Sequence, residues 1–350
     1  MLAVYVSGHG FGHATRTAEV LSALRARRPD LAITVVTAAP AFLFDGLGAA
    51  VRPLATDVGL AQQGALVIDL EQTVAACASF AARWPALVAE EAEWLRASGA
   101  SLVLADIPPL AFAAAAAAGL PSVGCANFSW DWIYAGVAGG RPELLAAAAQ
   151  AAAAYASADL LLELPFAGDL SAFPRRQRIP MVARHPRIPR DDVRGQLGLE
   201  GARPVVLLSF GGLGLPGFDR RVLGPLEDRF RFLDAADLPA DRLAALGLRY
   251  PDVVGASDVV VTKPGYGIVT DAIAAGARLV YTDRGAFPEY DVMVREMAGY
   301  LPTGYVSGDD LRAGRLGPAI DAVLPRPSVP PPPTNGAEAA AGAIVERLRA

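Results

Sequence analysis

The feature that most constrains the fold of this chain is the regular alternation of short apolar runs with segments of helical periodicity. Parallel strands need long crossover connections, so this alternation is typical of parallel sheets wrapped by helices. Helical patterns are clearest at residues 14–28, 73–97, 110–119 and 267–275. The runs predicted as strands form two series, first 2–6, 32–37, 102–105 and 122–125, then 204–209, 231–233, 259–262 and 278–282.

Two α/β units are therefore predicted, with a connection between them. Residues 173–190 are rich in proline and arginine and have little periodicity, which favours an interdomain linker that runs over the surface. This places one Rossmann-like domain in residues 1–172 and a second in residues 191–325. Residues 326–350 hold a proline-rich spacer and then a helical pattern at 337–348 that could fold back on the body.

Composition indicates a soluble globular protein. The 350 residues are 53% hydrophobic and 19% charged, which is enough apolar material for two cores. The net charge of −5 is spread without a basic stripe, so nucleic-acid binding is not expected. No transmembrane span or signal peptide is predicted, so we expect a cytoplasmic protein and leave peripheral membrane contact open. Cys77 and Cys125 lack disulfide or metal spacing and are interpreted as core residues.

The first candidate site is the turn at residues 7–16, which lies between a predicted strand and a predicted helix. Its glycines allow a tight turn and close approach of a ligand, and the helix that follows offers free amides to an anion. The spacing differs from G-x-G-x-x-G, and no acid ends the next strand, so a nicotinamide dinucleotide site is not predicted. A P-loop is not found either.

His13 in this turn is a candidate general base because imidazole titrates near neutral pH. Asp106 directly follows the run 102–105, so it is expected at the same sheet edge. There its carboxylate can accept from one ring nitrogen and leave the other free to take a proton. The spacing is equally compatible with Asp106 as a cap of the following helix. His9 is interpreted as shaping the loop, and no partner is predicted for His185.

The second candidate site is at residues 262–271, where a strand ends and the only lysine of the chain, Lys263, precedes a glycine-rich helix start. Free amides, the helix dipole and the ammonium group converge there, which predicts a site for a diphosphate. Residues 209–214 offer further exposed amides, or form a simple tight turn. Asp271 could bind a ribose diol, or place a favourable charge near the helix start. Glu289 could accept from sugar hydroxyls, or be an ordinary helix-start acid.

An aromatic segment at residues 127–134 follows another strand of the first series. Such a group can stack on a sugar ring or on an apolar acceptor, and it can also close a domain cleft. We predict that it forms one wall of a cleft.

A family resemblance is carried by three runs, GHGFGHATR, NFSWDWIYA and SDVVVTKPGYGIVTDAIAAG. Together they resemble the amino-terminal, glycosyltransferase-like region of plant L-arabinokinases, over most of residues 1–300. More distantly, the two halves are similar to GT-B glycosyltransferases such as the peptidoglycan N-acetylglucosaminyltransferase and the plant glucosyltransferases. The resemblance implies an α/β fold of the GT-B class, with two Rossmann-like, doubly wound domains that face each other across a cleft. Residues 1–172 would then bind the acceptor and residues 191–325 the nucleotide-sugar donor.

The resemblance also implies roles for residues. His13 matches the catalytic histidine of GT-B enzymes and Asp106 its acidic partner. Gly211 and Gly212 match the glycine turn near the donor phosphates, Asp271 matches a glutamate that binds the donor ribose, and Glu289 lies where acids bind the donor sugar. The chain departs from the pattern because Asp271 is one methylene shorter than glutamate and no glutamine follows Glu289. No phosphate loop of a kinase is found, so kinase activity is not expected.

These observations predict an inverting glycosyltransferase that uses a nucleoside diphosphate sugar as substrate and needs no cofactor or metal. The alternatives are a non-catalytic module that binds a sugar nucleotide or sugar, and a nucleotide-sugar epimerase of the same architecture. The acceptor is not predicted. The predicted catalytic residues are His13 and Asp106, the donor-binding residues are Gly211, Gly212, Lys263, Gly265, Tyr266, Gly267, Asp271 and Glu289, and the acceptor-cleft residues are Gly10, Gly12, Arg16, Asn127, Trp130 and Asp131.

Overall fold

The computed structural model describes residues 1–63, 67–211, 215 and 217–349, and over these residues the chain forms two parallel sheets and one short antiparallel pair. Within these ranges, the strands are β1 (Leu2–Val6), β2 (Ile33–Thr37), β3 (Ala50–Pro53), β4 (Gln62–Gln63), β5 (Val67–Ile68), β6 (Leu102–Asp106), β7 (Ser122–Ala126), β8 (Leu160–Glu163), β9 (Arg176–Arg178), β10 (Val205–Ser209), β11 (Arg231–Asp234), β12 (Val259–Thr262), β13 (Arg278–Tyr281) and β14 (Thr303–Tyr305). All eight predicted strands are confirmed.

The α-helices of the same described ranges are α1 (Phe11–Arg27), α2 (Leu70–Ala97), α3 (Pro109–Ala118), α4 (Trp130–Val137), α5 (Pro142–Tyr155), α6 (Arg190–Leu197), α7 (Ala240–Ala245), α8 (Tyr250–Ala256), α9 (Tyr266–Ala275), α10 (Pro288–Met297), α11 (Gly308–Arg312), α12 (Gly317–Val323) and α13 (Gly336–Arg347). Short 3-10 helices lie at Ala41–Phe44, Arg220–Leu226 and Ala235–Asp237. Most helices connect consecutive parallel strands, as the alternation in the sequence predicted.

The two sheets define two lobes. In the N-lobe (β1 to β9) the described strands have the order β3-β2-β1-β6-β7-β8-β9, and in the C-lobe (β10 to α12) the order is β11-β10-β12-β13-β14. In each sheet the chain adds strands first on one side of the earliest strand and then on the other. As a result, β1 lies between β2 and β6, and β10 lies between β11 and β12. Ligands of open parallel sheets bind outside the carboxyl ends of strands at such reversal points. His13 follows β1, and Lys263 follows β12.

The central strand β1 is apolar and buried along its whole length because both faces of its sheet are covered. Leu2, Val4 and Val6 of β1 point into one apolar cluster, while Ala3 and Tyr5 point into another on the opposite face. This explains why the strand pattern is a continuous apolar run rather than an alternation.

The linker predicted at residues 173–190 is more ordered than its composition indicated. Residues 176–178 form the edge strand β9, which pairs with β8 in a parallel arrangement. Ile179, Met181 and Val182 are buried in the apolar cluster that includes residues of both lobes. The expected surface path is therefore wrong for this part, because its few apolar residues pack into the junction of the lobes. The limits of the predicted domains stay a prediction.

Helix α13 packs along α1, so a late part of the chain covers the helix that carries His13. The path to α13 is held by backbone hydrogen bonds. Met181 donates to the carbonyl of Pro333 at 3.3 Å, and Gly336 donates to the carbonyl of Met181 at 2.9 Å. The proline-rich segment therefore crosses from the C-lobe to the N-lobe, and α13 folds back on the body as the sequence predicted.

Gly336 tests this crossing. A Cβ at Gly336 would lie 2.1 Å from the carbonyl oxygen of Pro180, and backbone cannot move aside cheaply. We expect Gly336→Ala to lower the free energy of unfolding by about 1–3 kcal/mol in urea titrations. The control is Gly195→Ala in α6, where the added Cβ would lie 3.7 Å from Glu200 Oε1 and helix propensity favours alanine by about 1 kcal/mol. Equal stability of the two variants would contradict the tight crossing.

Candidate active site between the two lobes

The N-lobe side of the site is the loop between β1 and α1. Gly10 has a φ of 77°, a backbone conformation in which a Cβ would be strained. Helix α1 begins at Phe11, and no side chain caps it, so its first amides lack intrahelical acceptors. Gly10 and Gly12, two predicted acceptor-cleft residues, are exposed. The loop therefore presents backbone donors to a ligand.

Strand register brings His13 and Asp106 together. Val6 of β1 lies opposite Asp106 of β6, and His13 stands in the first turn of the helix that follows β1. The Nδ1 atom of His13 lies 2.8 Å from Asp106 Oδ1, and both side chains are buried. The N-cap position of α3 is Pro108, which has no side-chain cap bond. Asp106 is thus an acid beside His13 and not the cap of the next helix.

Arg16 is the main partner of Asp106. Its Nε donates to Asp106 Oδ2 at 2.8 Å and its Nη2 donates to Oδ1 at 2.6 Å, while the Thr17 hydroxyl donates to Oδ2 at 3.2 Å. This two-point pairing has the geometry that guanidinium and carboxylate groups favour. Arg16 was predicted only as a cleft residue. Its position three residues after His13 is the signal that places both side chains on one helix face.

The charge on Asp106 is stable over the physiological pH range. Burial raises the pKa of this carboxyl, but Arg16 and His13 outweigh the effect and bring it to about 2. The positive charge of Arg16 thereby offsets the negative charge of the Asp106 carboxylate that contacts His13.

A chain of hydrogen bonds continues from Arg16 into the C-lobe. Arg16 Nη1 donates to Asn127 Oδ1 at 2.7 Å, and Asn127 Nδ2 donates to Glu289 Oε1 at 2.7 Å. Arg284 Nη1 then donates to Glu289 Oε2 at 2.6 Å. Asn127 and Glu289 are both buried. The predicted donor-sugar acid and the predicted acceptor-cleft asparagine are therefore in direct contact. Arg284 was missed, although it lies only five residues before Glu289 in the same segment.

Aromatic rings surround His9 at the junction of the lobes. The His9 ring lies 5.3 Å from Trp130 edge-to-face and 6.4 Å from Phe287 in a stacked arrangement. Burial, together with the charges of His13, Arg284 and Lys263, lowers the pKa of His9 to about 3. His9 is therefore neutral and packs in the loop. Trp130 is buried and donates its Nε1 proton to Asp57 Oδ2 at 2.7 Å. Asp131 is the second residue of α4, and its buried carboxylate oxygen Oδ1 has no hydrogen-bond partner among the described residues.

The C-lobe side of the site is the turn after β12. Lys263 follows this strand, and Gly265 precedes α9 without a side-chain cap, so amides of the first turn of α9 lack intrahelical acceptors. Burial and the charge of Arg284 lower the pKa of Lys263 to about 8, while Glu289 acts in the opposite direction. Arg284 also donates to the Pro264 carbonyl at 3.0 Å. Cationic groups and backbone donors converge here, as a diphosphate site requires.

Tyr266 and Gly267 begin α9 next to the N-lobe. A Cβ at Gly267 would lie 3.9 Å from Gly12 Cα, so the two helix starts approach closely. The Tyr266 ring is buried, with the Arg16 guanidinium 4.7 Å from its centroid, and its hydroxyl accepts from the Val182 amide at 3.1 Å. Tyr266 thus supports the junction of the lobes.

Asp271 lies apart from Lys263. Its buried carboxylate forms an ion pair with Arg184, and Arg184 also donates to it from Nε at 3.2 Å and from its backbone amide at 3.3 Å. A ribose would have to displace this arginine. Gly211 is exposed with a φ of 70°, whereas Gly212 lies outside the described residues.

Three of the four acids named for the site are paired with arginines, Asp106 with Arg16, Asp271 with Arg184 and Glu289 with Arg284. Among the described residues, three or more histidine, cysteine or acidic side chains do not converge as metal ligands anywhere. No helix in these ranges has the length and apolarity that crossing a membrane requires.

A comparison with known proteins finds a relative that is similar in sequence to almost the whole chain. L-arabinokinase of Arabidopsis thaliana is 32% identical over 371 residues, which cover 99% of this chain and 34% of the relative. The chain therefore spans about a third of the length of that curated relative, in its amino-terminal part. No family model matches the chain. The resemblance to the amino-terminal region of L-arabinokinases, which three sequence runs predicted, is confirmed.

Solved structures with a similar fold are glycosyltransferases. Arabidopsis thaliana UGT89C1 complexed with UDP is 14% identical, with a TM-score of 0.59 and 99% of each chain covered. Glycosyltransferase VinC in complex with dTDP is 17% identical, with a TM-score of 0.54, covering 100% of this chain and 95% of VinC. The chain has the GT-B fold. The predicted fold class is confirmed.

The pairing of Asp106 gives a stability prediction. Its pKa falls from 3.8 to about 2 in the folded protein, so the carboxylate contributes about 2 kcal/mol above pH 3.8, which is lost as the pH falls towards 2. We expect Asp106→Asn to remove this acid-sensitive part and to lower the free energy of unfolding at pH 7 by about 3–5 kcal/mol, because Arg16 stays buried without its partner. Urea titrations at several pH values measure both effects.

The matched control is Asp219→Asn. Asp219 pairs with Arg221 at 2.7 Å on the surface, where ion pairs contribute little. This variant should unfold like the unmodified chain. A loss as small in Asp106→Asn as in Asp219→Asn would contradict the structural role given to the buried pair.

Proposed function

We propose that the protein is an inverting glycosyltransferase that moves a sugar from a nucleoside diphosphate sugar to an acceptor hydroxyl. The observation that carries this proposal is the buried pair of His13 Nδ1 and Asp106 Oδ1, 2.8 Å apart, at the reversal point of the N-lobe. Lys263 follows β12 at the carboxyl edge of the C-lobe sheet, beside the reversal point of that sheet. The GT-B fold of the chain supports the proposal.

In this proposal the Nδ1–H group of His13 donates a hydrogen bond to Asp106 Oδ1 and keeps its proton, and the free Nε2 takes the proton of the acceptor hydroxyl. The acceptor oxygen attacks C1 of the sugar as the bond from C1 to the diphosphate oxygen breaks. The electron pair leaves with the nucleoside diphosphate, and the configuration at C1 inverts. Asp106 stabilises the imidazolium that forms. Lys263 and the first amides of α9 stabilise the negative charge on the departing diphosphate, so the proposal includes no metal or other cofactor.

The donor class rests on two considerations. UDP and dTDP are bound by the glycosyltransferases with the same fold, and we extend this ligand class to the present chain. The convergence of Lys263, Arg284 and helix amides suits a diphosphate. Binding of the ribose by Asp271 requires Arg184 to release that carboxylate or to share it.

A second candidate function is a non-catalytic module that binds a sugar nucleotide. The observation that favours it is the neutralisation of the two acids, Asp106 by Arg16 and Asp271 by Arg184. A base works best when its acidic partner is free to stabilise the imidazolium. The match covers only 34% of L-arabinokinase, so in that relative the matching region is joined to about two thirds of further chain.

Nucleotide release from a panel of UDP, dTDP and GDP sugars, with alcohols and phenols as acceptors, tests the proposal. We expect at least one donor to be consumed, and His13→Gln to lower the rate about 10²–10⁴-fold. His185→Gln, which changes the exposed histidine between the lobes, should leave the rate unchanged.

Two other outcomes would reject the transferase. Donor binding that survives His13→Gln without product from either protein assigns the binding module. Interconversion of the donor sugar without an acceptor, seen by NMR, assigns an epimerase.

The pKa of Lys263, about 8, predicts a pH dependence of UDP binding. A raised pH removes the proton from this ammonium, so the attraction to a diphosphate is present below pH 8 and is lost as the pH rises above it. We expect the affinity for UDP, measured by calorimetry, to fall between about pH 7 and 9. Lys263→Arg should keep its charge over this range, and its affinity should stay level. The same fall in Lys263→Arg would assign the dependence to another group.

A further inference from the structure

Asn127 joins opposite charges across the boundary of the lobes. Its oxygen accepts from Arg16 of the N-lobe, and its Nδ2 donates to Glu289 of the C-lobe, each at 2.7 Å. These charges determine the orientation of the amide, because a flipped amide would set NH₂ against the guanidinium and oxygen against the carboxylate. Asn127 is fully buried.

Both oxygens of Glu289 are occupied. Oε2 accepts from Arg284, which is also held by the Pro264 carbonyl within the same lobe. Oε1 accepts from Asn127, a neutral donor that belongs to the other lobe. Neutral donors bind carboxylates more weakly than guanidinium groups do. A ligand hydroxyl that donates to Glu289 would therefore replace Asn127 and leave Arg284 in place.

The segment that carries Asn127 is also the segment that contacts the C-lobe. Phe128 packs edge-to-face on Phe287, with centroids 6.0 Å apart. A Cβ at Gly136 of α4 would lie 2.6 Å from the Pro288 ring, at the start of α10. Replacement of Asn127 by a ligand hydroxyl on Glu289 would therefore also affect the packing of α4 against α10.

We propose that Asn127 is a positioning residue that holds the two lobes closed by occupying the place of a donor-sugar hydroxyl on Glu289. This inference rests on the proposed function, since it takes the sugar of the donor as the ligand that replaces the amide. Asn127 keeps its bond to Arg16 when it leaves Glu289, and Arg16 holds Asp106. Occupation of Glu289 by a sugar is thereby transmitted to the acid beside His13.

The first experiment needs no ligand. Spin labels at Ala82→Cys in α2 and Ala313→Cys at the end of α11 occupy exposed positions on different lobes, and Cys77 and Cys125 are buried and resist labelling. We expect one narrow distance in the labelled chain and an additional longer population when Asn127→Ala is added. Gln177→Ala removes an exposed amide on β9 and should leave the distance unchanged. An unchanged distance in Asn127→Ala overturns the proposal.

The second experiment separates exchange from simple support. Without the amide, a sugar has no bond to displace, so Asn127→Ala should bind UDP-glucose about 3–10-fold more tightly relative to UDP than the unmodified chain does. A weaker relative affinity for UDP-glucose would show that Asn127 only supports Glu289, and it overturns the proposal. If Asn127→Ala does not fold, Asn127→Ser, which is too short to reach both partners, replaces it in both experiments.

The two proposals fail in different ways. Absence of UDP and UDP-glucose binding in the unmodified chain counts against the proposed function, while the label distances still decide whether Asn127 holds the lobes together.

Discussion

The buried carboxylate of Asp106 is the group on which the rest of the site depends. Removal of an ion from water is costly unless partners replace its hydration, and here His13, Arg16 and Thr17 do so. Arg16 is buried as well and needs acceptors for its other N–H groups, one of which Asn127 provides. Asn127 in turn donates to Glu289, and the buried charge of Glu289 is paired with Arg284. One buried charge in the first sheet thus leads to a connected polar network that ends in the second.

The sequence predicted those parts of the site that follow from strand order. Apolar runs located β1, β6 and β12, and the rule that carboxyl ends of parallel strands share an edge brought His13 and Asp106 together. Arg16, Asn127 and Glu289 were named as site residues, but their contacts with one another were not predicted. These contacts join residues that are 111 and 162 positions apart, and they depend on how the lobes pack. The same reason accounts for Arg184, which is 87 positions from Asp271. Arg284 is only five positions from Glu289, and its local pattern did not distinguish it from other arginines.

The buried network also explains why one geometry suits two candidate functions. A carboxylate that Arg16 neutralises still orients the His13 ring through Nδ1, but it stabilises a protonated ring less than an unpaired carboxylate would. Catalysis and binding therefore use the same contacts and differ in how the charge on Asp106 is shared during the reaction. Rearrangement of Arg16 on binding of a ligand is the step that would favour catalysis, and Asn127 is its other partner.

The crossing of the proline-rich segment to α13 has a consequence for how the protein is made. The N-lobe sheet emerges from the ribosome before the C-lobe, and α1 lacks the cover of α13 until the C-lobe has also been synthesised. The apolar face of α1 would remain exposed to chaperones during this interval. The helix that carries His13 thus completes its packing only after the C-lobe has been made, which delays assembly of the polar site until both lobes are present.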